Sequence, residues 1–427
     1  MPDFRETIAT YKLRWPTSIV GILACLMMVW GLMFSRALMS IGSILMVVNL
    51  FAIPSLDLLK QLMKDNAWFK WGTLFIVTYL ISGLYSIDTA KWMHEVSVKA
   101  PFLAFPVAFA LIDLQDKRYR KALIWGCTIP VIAIIFRSTF IYISNIGHYD
   151  ALYNYAQVLP TTVYNDHIRF SATLVGVYLI QMQALFGKSN DGTLFYNKIE
   201  RMLSVISLLL MVGFVHLLAT KTGLLTFYAV NFCLLVGLLY RISKWLLPLT
   251  AFACIGMAWL GYTFVPTMRT KIDYVRWEYK VYTEGNQDSY EYSDVGRLMS
   301  YKIGMAFLKK HPLLGVGAGD VAKDTKGAFG IAFPNTPDEN RLVPHNQYLL
   351  TMVTVGIPMT IPLIMLTILP FILKGTHRKW VMINGVMLFI CLNVEPFLDI
   401  QFGVFVFLFF TLYWANINKN LIPKSIV

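Results

Sequence analysis

The sequence contains little charge for its length. Of its 427 residues, 14% are charged and 57% are hydrophobic, whereas soluble domains carry about 25% charged residues. Apolar runs of roughly 20 residues recur along the chain, and each is long enough to cross a bilayer core as a helix. This composition excludes an ordinary soluble domain and predicts an all-α, polytopic integral membrane protein.

Cysteine is also scarce, and several sequence signatures are missing. Because the cysteines all lie in apolar stretches, we interpret them as small buried hydrophobic residues, with neither a disulfide framework nor a metal site. The sequence has no metalloprotease signature. We expect no cleavable signal peptide, because the basic N-terminal segment leads into an apolar run without a small-residue cleavage site. The five cysteines are Cys25, Cys127, Cys233, Cys254 and Cys391.

Hydropathy predicts about twelve spans, and the basic residues predict their orientation. Most lysines and arginines fall in segments that are cytoplasmic if the N-terminus is inside, which is the usual bias of membrane proteins. Both termini are then cytoplasmic. The same bias accounts for the net charge of +13, so no nucleic-acid partner is expected. The spans lie near residues 17–34, 37–54, 71–88, 99–114, 121–144, 169–187, 202–219, 222–241, 244–265, 345–373, 379–397 and 400–417.

The chain is expected to form one membrane domain, interrupted by a large periplasmic loop. Residues 1–265 hold spans one to nine, residues 266–344 form the loop, and residues 345–427 hold spans ten to twelve. Three prolines predict a kink in the tenth span. In the loop, apolar spacing predicts a helix over residues 296–310.

The end of this loop helix and the segment after it are also predicted. The helix ends at His311, because a residue before proline avoids the helical conformation. Three glycines follow without the flanking strand and helix of a dinucleotide loop, so they indicate a turn or a close backbone approach. Residues 320–343 are expected to be a loop, and His345 is expected in the first turn of the tenth span.

Ionisable residues at the outer ends of spans are the candidate site. Arg169 begins the sixth span, Lys221 begins the eighth, Arg297 lies on the loop helix, and His345 begins the tenth span. Charges at membrane depth are costly unless they meet a partner or a watery cavity. Arginine presents a planar fork to phosphate oxygens, and lysine acts as a point charge. Three cations beside a histidine therefore suit a diphosphate carried by a membrane lipid.

Structural roles compete with this interpretation. Arg169 can pair with Asp166 or reach lipid headgroups, and His345 can be a hydrogen-bonded residue at a helix end. Lys221 opposes the dipole at a helix start, so a purely structural role suits it less well. His216 is expected to be buried and hydrogen-bonded. The roles of four ionisable residues are left open: His216, His311, Arg137 and Glu395.

The polar motifs together resemble a known family. An arginine in a short helix is followed by His-Pro-Leu-x-Gly-Val-Gly-x-Gly from His311, then by His-Asn-x-Tyr-Leu from His345, with Gly356 eleven residues after that histidine. This pattern resembles the O-antigen ligase and polymerase superfamily over roughly residues 200–400.

The resemblance implies a glycosyltransferase of the bacterial inner membrane that uses an undecaprenyl-diphosphate-linked glycan on the periplasmic side. A ligase moves the glycan to a hydroxyl of lipid A-core. By this resemblance His345 is the catalytic histidine and general base, Arg297 is catalytic and binds diphosphate, and Arg169 and Lys221 bind diphosphate. Lys221 stands where the family usually has arginine. No cofactor or metal is expected, and transfer is expected to be inverting.

Three alternatives remain open. A polymerase of the same superfamily would extend lipid-linked repeats, and a related oligosaccharyltransferase would modify protein. From a different class, a transporter of lipid-linked glycans is a further possibility. Transporters usually show broken helices or charges near mid-membrane in repeated halves, whereas the sequence shows no internal repeat and its candidate residues cluster at the outer face.

Overall fold

The computed structural model describes residues 13–64, 66–153, 159–164, 166–187, 194–195, 197–284 and 293–419. These residues form helices and contain no strand, which confirms the all-α prediction. The α-helices are α1 (Thr17–Phe34), α2 (Arg36–Val48), α3 (Leu56–Lys64), α4 (Ala67–Ser82), α5 (Thr89–Lys99), α6 (Pro101–Ala110), α7 (Lys117–Ser144), α8 (Ile146–Tyr153), α9 (His167–Phe186), α10 (Lys198–Leu218), α11 (Lys221–Ile242), α12 (Leu247–Phe264), α13 (Pro266–Thr283), α14 (Ser293–Lys310), α15 (Val321–Ala332), α16 (Gln347–Val355), α17 (Ile361–Ile372), α18 (Arg378–Val394) and α19 (Gln401–Ile417). Short 3-10 helices lie at Asn49–Ala52, Lys244–Leu246, Asp338–Asn340, Pro358–Thr360 and Phe397–Asp399.

Several of these helices are long and apolar enough to span a membrane. In the described part of the chain, five meet both conditions: α1, α7, α9, α10 and α11. Two bent pairs, α2 with α3 and α12 with α13, raise the number to seven if each pair is one span. The protein is thus a multi-pass helical membrane protein, and the count of twelve spans stays a prediction.

Two helices form the centre of the bundle. Helix α19 is buried along its whole length, in keeping with its almost continuous apolar sequence. Helix α9 packs against α10, α11, α18 and α19. Its first turn is capped by Asp166, whose carboxylate accepts a hydrogen bond from the backbone N–H of Arg169 at 3.0 Å. This capped end places the Arg169 side chain among elements from distant parts of the sequence.

The loop between α13 and α16 contains more helix than the sequence predicts. Helix α14 ends at Lys310, directly before His311, as predicted. The prediction of a loop over residues 320–343 is wrong, because α15 occupies Val321–Ala332. Its Phe329 packs against apolar residues of α14. This long-range burial stabilises a helix whose two glycines lower its intrinsic propensity.

The placement of His345 inside a helix is also wrong. Helix α16 begins at Gln347, and Asn346 is its N-cap, accepting a hydrogen bond from the backbone N–H of Leu349 at 3.0 Å. An asparagine in this position satisfies a backbone donor that the first helical turn leaves unpaired. His345 lies before the N-cap of this helix, and its N–H donates to Ser300 Oγ on α14 at 3.2 Å.

The glycine run after α14 is a packing junction. Val316 N–H and Gly317 N–H donate to the carbonyl oxygens of Val353 and Thr354 near the end of α16, both at 2.9 Å. Gly319 N–H donates to Ser86 Oγ at 3.1 Å. The run therefore joins α14, α16 and the connection from α4 to α5, as the prediction of a close backbone approach requires.

Candidate active site

Four charged side chains form a continuous series of ion pairs that ends beside His345, and the five residues together are called here the ion-pair chain. Lys221 Nζ lies 2.5 Å from Asp294 Oδ2, and Asp294 Oδ1 lies 3.4 Å from Arg297 Nη1. Arg297 Nη2 donates to Glu395 Oε1 at 2.5 Å. The other oxygen of Glu395 lies 3.6 Å from His345 Nε2. Helices α11 and α14 and the segments before α16 and after α18 thus meet at one place.

Arg169 borders this chain through the residue after Glu395. Its Nη2 donates to the carbonyl oxygen of Pro396 at 3.3 Å, and its guanidinium lies 5.5 Å from the centre of the Phe397 ring. Its Nη1 lies 3.7 Å from Asp166 Oδ1, so the pairing that competes with a phosphate role is present. Its Nε is buried and has no hydrogen-bond partner among the described residues.

Backbone contacts fix the orientation of the His345 ring. Its Nδ1 lies 2.9 Å from the carbonyl oxygen of Val343, and its own carbonyl oxygen accepts from Tyr301 Oη at 3.0 Å. Because a carbonyl oxygen only accepts hydrogen bonds, we assign the ring proton to Nδ1. Nε2 then carries the lone pair, on the side of the ring that faces Glu395.

The surroundings of His345 keep its imidazole neutral at neutral pH. Burial lowers the pKa of His345 below its ordinary value near 6.5, and the positive charges of Arg297 and Arg169 act in the same direction. The negative charge of Glu395 opposes them and raises this pKa. A neutral imidazole is the form that accepts a proton.

An apolar pocket opens beside the ion-pair chain. It has a volume of about 200 Å³ and lies between α11 and α13. Leu224, Met268, Ile272 and Val275 line it, together with Ala219 and two cationic residues, Lys221 and Arg276. Cations in the lining of an otherwise apolar pocket suit a ligand that joins a phosphate to a hydrocarbon chain.

The structure brings together all four residues singled out from the sequence: Arg169, Lys221, Arg297 and His345. It adds Glu395, which the sequence leaves as a charge without an identified partner. A carboxylate that is 3% exposed needs cationic or hydrogen-bonding partners. The sequence does not reveal that Glu395 is buried, so it does not predict these partners. The only sequence signal for Glu395 is an acidic residue directly before a proline in an apolar stretch.

The other ionisable residues considered from the sequence have contacts outside this site. Arg137 donates to the carbonyl oxygen of Thr161 at 2.7 Å. His216 is buried, and its Nε2 lies 2.9 Å from Tyr228 Oη, which confirms a hydrogen-bonded core histidine. His311 directly follows the end of α14. Among the described residues, no group of three or more His, Cys, Asp or Glu side chains is placed to hold a metal ion.

Comparison with known proteins agrees with the sequence motifs. Residues 206–364 match a family model described as O-Antigen ligase. This range includes Lys221, Arg297 and His345, whereas Arg169 and Glu395 lie outside it. A search among curated proteins gives no match. The resemblance seen in the sequence is confirmed: residues 206–364 of the chain are similar to the O-antigen ligase family.

Proposed function

We propose that the protein transfers an O-antigen glycan from undecaprenyl diphosphate to a hydroxyl group of lipid A-core, at the periplasmic face of the bacterial inner membrane. One observation carries this proposal: Arg169, Lys221 and Arg297 lie around a neutral histidine whose Nε2 faces Glu395. The family match supports the chemistry, because O-antigen ligases and polymerases both use lipid-linked glycans.

The cations hold and stabilise the diphosphate of the donor. Arg297 has five N–H donors, of which its two ion pairs use two. The buried Nε of Arg169 supplies a further donor. Groups already oriented toward developing negative charge stabilise a leaving group without reorganisation in the transition state. The pocket beside Lys221 receives the first part of the lipid chain.

His345 activates the acceptor. Its Nε2 takes the proton of the acceptor hydroxyl, and the hydroxyl oxygen attacks the anomeric carbon of the glycan while the bond from that carbon to the diphosphate breaks. Undecaprenyl diphosphate leaves with the bonding electron pair. The imidazolium that forms is stabilised by Glu395, 3.6 Å away. A single displacement of this kind inverts the anomeric centre.

The membrane arrangement supports a periplasmic site. In this proposal twelve spans cross the inner membrane, both termini are cytoplasmic, and residues 266–344 lie in the periplasm between spans nine and ten. The bias of basic residues toward the inner segments supports this orientation. Residues 1–265 and 345–427 form the single membrane domain that presents Arg169, Lys221, Glu395 and His345 to the donor.

Reconstitution tests the proposal. Purified protein in lipid nanodiscs is supplied with an undecaprenyl-diphosphate-linked glycan and lipid A-core, with and without chelator. We expect glycosylated lipid A-core in both cases, because cationic side chains supply the positive charge at the diphosphate. Turnover that is lost in chelator and restored by magnesium would contradict metal-independent transfer.

The product and one variant separate the alternatives. A longer lipid-linked chain in place of glycosylated lipid A-core would identify a polymerase. Movement of intact donor across a vesicle membrane without any transfer would identify a transporter. His345→Ala is expected to abolish product formation, and normal transfer by this variant would remove His345 from the mechanism.

A further inference from the structure

Helix α13 has an apolar face, and this face forms one wall of the apolar pocket beside the ion-pair chain. Met268, Ile272 and Val275 recur at the spacing of one helical face, and all three line the pocket. Trp277 is 46% exposed and Tyr279 is 70% exposed. The helix thus presents aliphatic side chains and a methionine to the pocket, and aromatic side chains to its surroundings.

The angle between α12 and α13 indicates how α13 lies relative to the membrane. The two helices meet at a bend of 105°. With α12 as the predicted ninth span, α13 lies along the periplasmic surface of the bilayer. Helices with one apolar face lie at this depth, and exposed tryptophan and tyrosine side chains favour it. The pocket is therefore located where the phosphates and first carbons of membrane lipids are found.

The size of the pocket limits how much of a lipid chain it can hold. Its volume is about 200 Å³, and a cavity of about 150 Å³ binds benzene. An isoprene unit has one carbon fewer than benzene, so the pocket accommodates about one such unit. The rest of a polyprenyl chain then remains among the membrane lipids.

Arg276 is the cation that α13 contributes to the pocket lining. Its side chain is 71% exposed, and its Nη1 lies 3.4 Å from Asp273 Oδ1. The same carboxylate oxygen accepts a hydrogen bond from Tyr262 Oη at 3.1 Å. A long contact with an exposed carboxylate contributes little stability. A phosphate can therefore replace Asp273 as the partner of Arg276 at little cost.

We propose that Arg276 binds a phosphate oxygen of the prenyl diphosphate donor, while the apolar lining between α11 and α13 holds the isoprene unit next to that phosphate. Lys221 supplies a cation from the α11 wall, and the planar fork of Arg276 suits phosphate oxygens. This inference rests on the proposed function and deepens it. It adds a donor-binding residue outside the ion-pair chain and restricts recognition of the lipid to its first isoprene unit.

Arg276→Met and Arg269→Met form a matched pair for the test. Both arginines are exposed on α13, and their guanidinium groups lie 5.7 and 5.8 Å from the centre of the Tyr262 ring. Among the described residues, Arg276 lines the pocket and Arg269 does not. The probe is dimethylallyl diphosphate, which has a single isoprene unit, and its affinity is measured by isothermal titration calorimetry in lipid nanodiscs.

Arg276→Met should weaken binding of this probe at least about tenfold, because charge-assisted hydrogen bonds to phosphate are lost. Arg269→Met should stay within about twofold of the unchanged protein, because exposed surface charges contribute little. Equal affinities of the two variants would overturn the role of Arg276, whether both bind normally or both bind weakly.

The length of the ligand tests the role of the pocket. The unchanged protein should bind dimethylallyl diphosphate at least about tenfold more tightly than inorganic pyrophosphate, because the pocket removes apolar carbon from water. Val275→Trp fills the pocket, so it should abolish this preference and leave pyrophosphate binding unchanged. A preference that persists in Val275→Trp would overturn the role of the pocket.

Geranyl diphosphate, which has two isoprene units, tests the limit of one unit. Its second unit lies outside the pocket and enters the bilayer equally in both proteins. The difference in affinity between the unchanged protein and Val275→Trp should therefore be the same for geranyl as for dimethylallyl diphosphate. A difference that grows with the second unit would overturn the limit.

Binding and turnover together distinguish failure of this inference from failure of the proposed function. His345→Ala should bind dimethylallyl diphosphate as the unchanged protein does, because His345 is not part of the pocket lining. An unchanged protein that binds no prenyl diphosphate, undecaprenyl diphosphate included, would overturn both proposals. Glycan transfer by the unchanged protein, with full affinity of Arg276→Met for dimethylallyl diphosphate, would overturn the role of Arg276 alone.

Discussion

At the residue scale, Glu395 contacts two ionisable side chains, those of Arg297 and His345. It holds the guanidinium of Arg297, and it raises the pKa of His345 against the lowering effect of burial. Glu395→Gln removes this negative charge, so the pKa of His345 falls further. The acid limb of kcat/KM, which reports protonation of the free enzyme's base, should therefore move to lower pH. We also expect kcat to fall about tenfold to a hundredfold, because the imidazolium loses its partner.

The measurement is the pH–rate profile of each protein between pH 4 and 9 (a range of roughly five units around the ordinary histidine value). Asp338→Asn is the matched control, since Asp338 pairs with Arg341 at an exposed position. That control should leave the profile unchanged. A Glu395→Gln profile whose acid limb moves to higher pH would show that Glu395 does not act on His345.

Lys221 allows a second prediction, because the resemblance to the O-antigen ligase family implies an arginine at this position. Its ion pair with Asp294 needs charge more than fork geometry. Lys221→Arg should keep kcat/KM within about threefold of the unchanged protein. Lys221→Met should raise KM for the donor at least about tenfold, because a charge-assisted contact to phosphate is lost. Steady-state kinetics with varied donor concentration check both. Unchanged donor KM in Lys221→Met would place the diphosphate elsewhere.

The sequence predicted the cations of this site better than their carboxylate partner. Arg169 and Lys221 are visible in the sequence because a charge at the end of an apolar span needs an explanation. Arg297 and His345 carry a recognisable motif. The pairing of Arg297 with Glu395 spans 98 residues, and such a contact depends on how helices pack, which one sequence does not reveal.

At the element scale, Gly356 separates α16 from α17 and bears on stability. Its φ is +90°, and an added Cβ would lie 2.0 Å from the carbonyl oxygen of Leu313. Gly356→Ala should therefore lower the free energy of unfolding by at least about 1–3 kcal/mol, from backbone strain alone. The thermal unfolding midpoint in detergent, with and without donor lipid, measures the effect.

Gly327→Ala is the matched control for Gly356→Ala. Gly327 lies inside α15, and an added Cβ there meets nothing within 4 Å. Alanine is favoured over glycine in a helix interior by roughly 0.5–1 kcal/mol, so this variant should be as stable as the unchanged protein or slightly more so. Equal stability of both variants would contradict the close packing of the chain near Leu313 against Gly356.

Helices α14 and α15 show what a single sequence predicts about an element. The apolar residues of α14 recur at helical spacing over its whole length, so its existence and its end at Lys310 were predicted correctly. In α15 the buried positions are few, Val321, Thr325 and Phe329, among exposed polar residues and glycine. Its helical pattern becomes clear only when α14 is in place to cover Phe329.

At the scale of the whole molecule, hydropathy located apolar segments but did not distinguish lipid-facing from protein-facing ones. Helix α19 is short for a bilayer span and buried all along its length. Helices α16 and α17 are separated by a break at Gly356, within the predicted tenth span. Such broken helices are tolerated at membrane depth where protein surrounds them. The apolar residues of such helices are therefore explained by burial against neighbouring helices and not by contact with lipid.

Orientation in the membrane gives the last prediction. Lys280 on α13 lies in the segment expected in the periplasm, and Lys64 on α3 lies in one expected in the cytoplasm. Both side chains are exposed. A membrane-impermeant maleimide should therefore label Lys280→Cys but not Lys64→Cys in intact spheroplasts, and should label both after permeabilisation. The unchanged protein measures labelling of the natural cysteines, three of which are buried. Labelling of Lys64→Cys and protection of Lys280→Cys would reverse the orientation and place the ion-pair chain on the cytoplasmic side, where the proposed acceptor would not reach it.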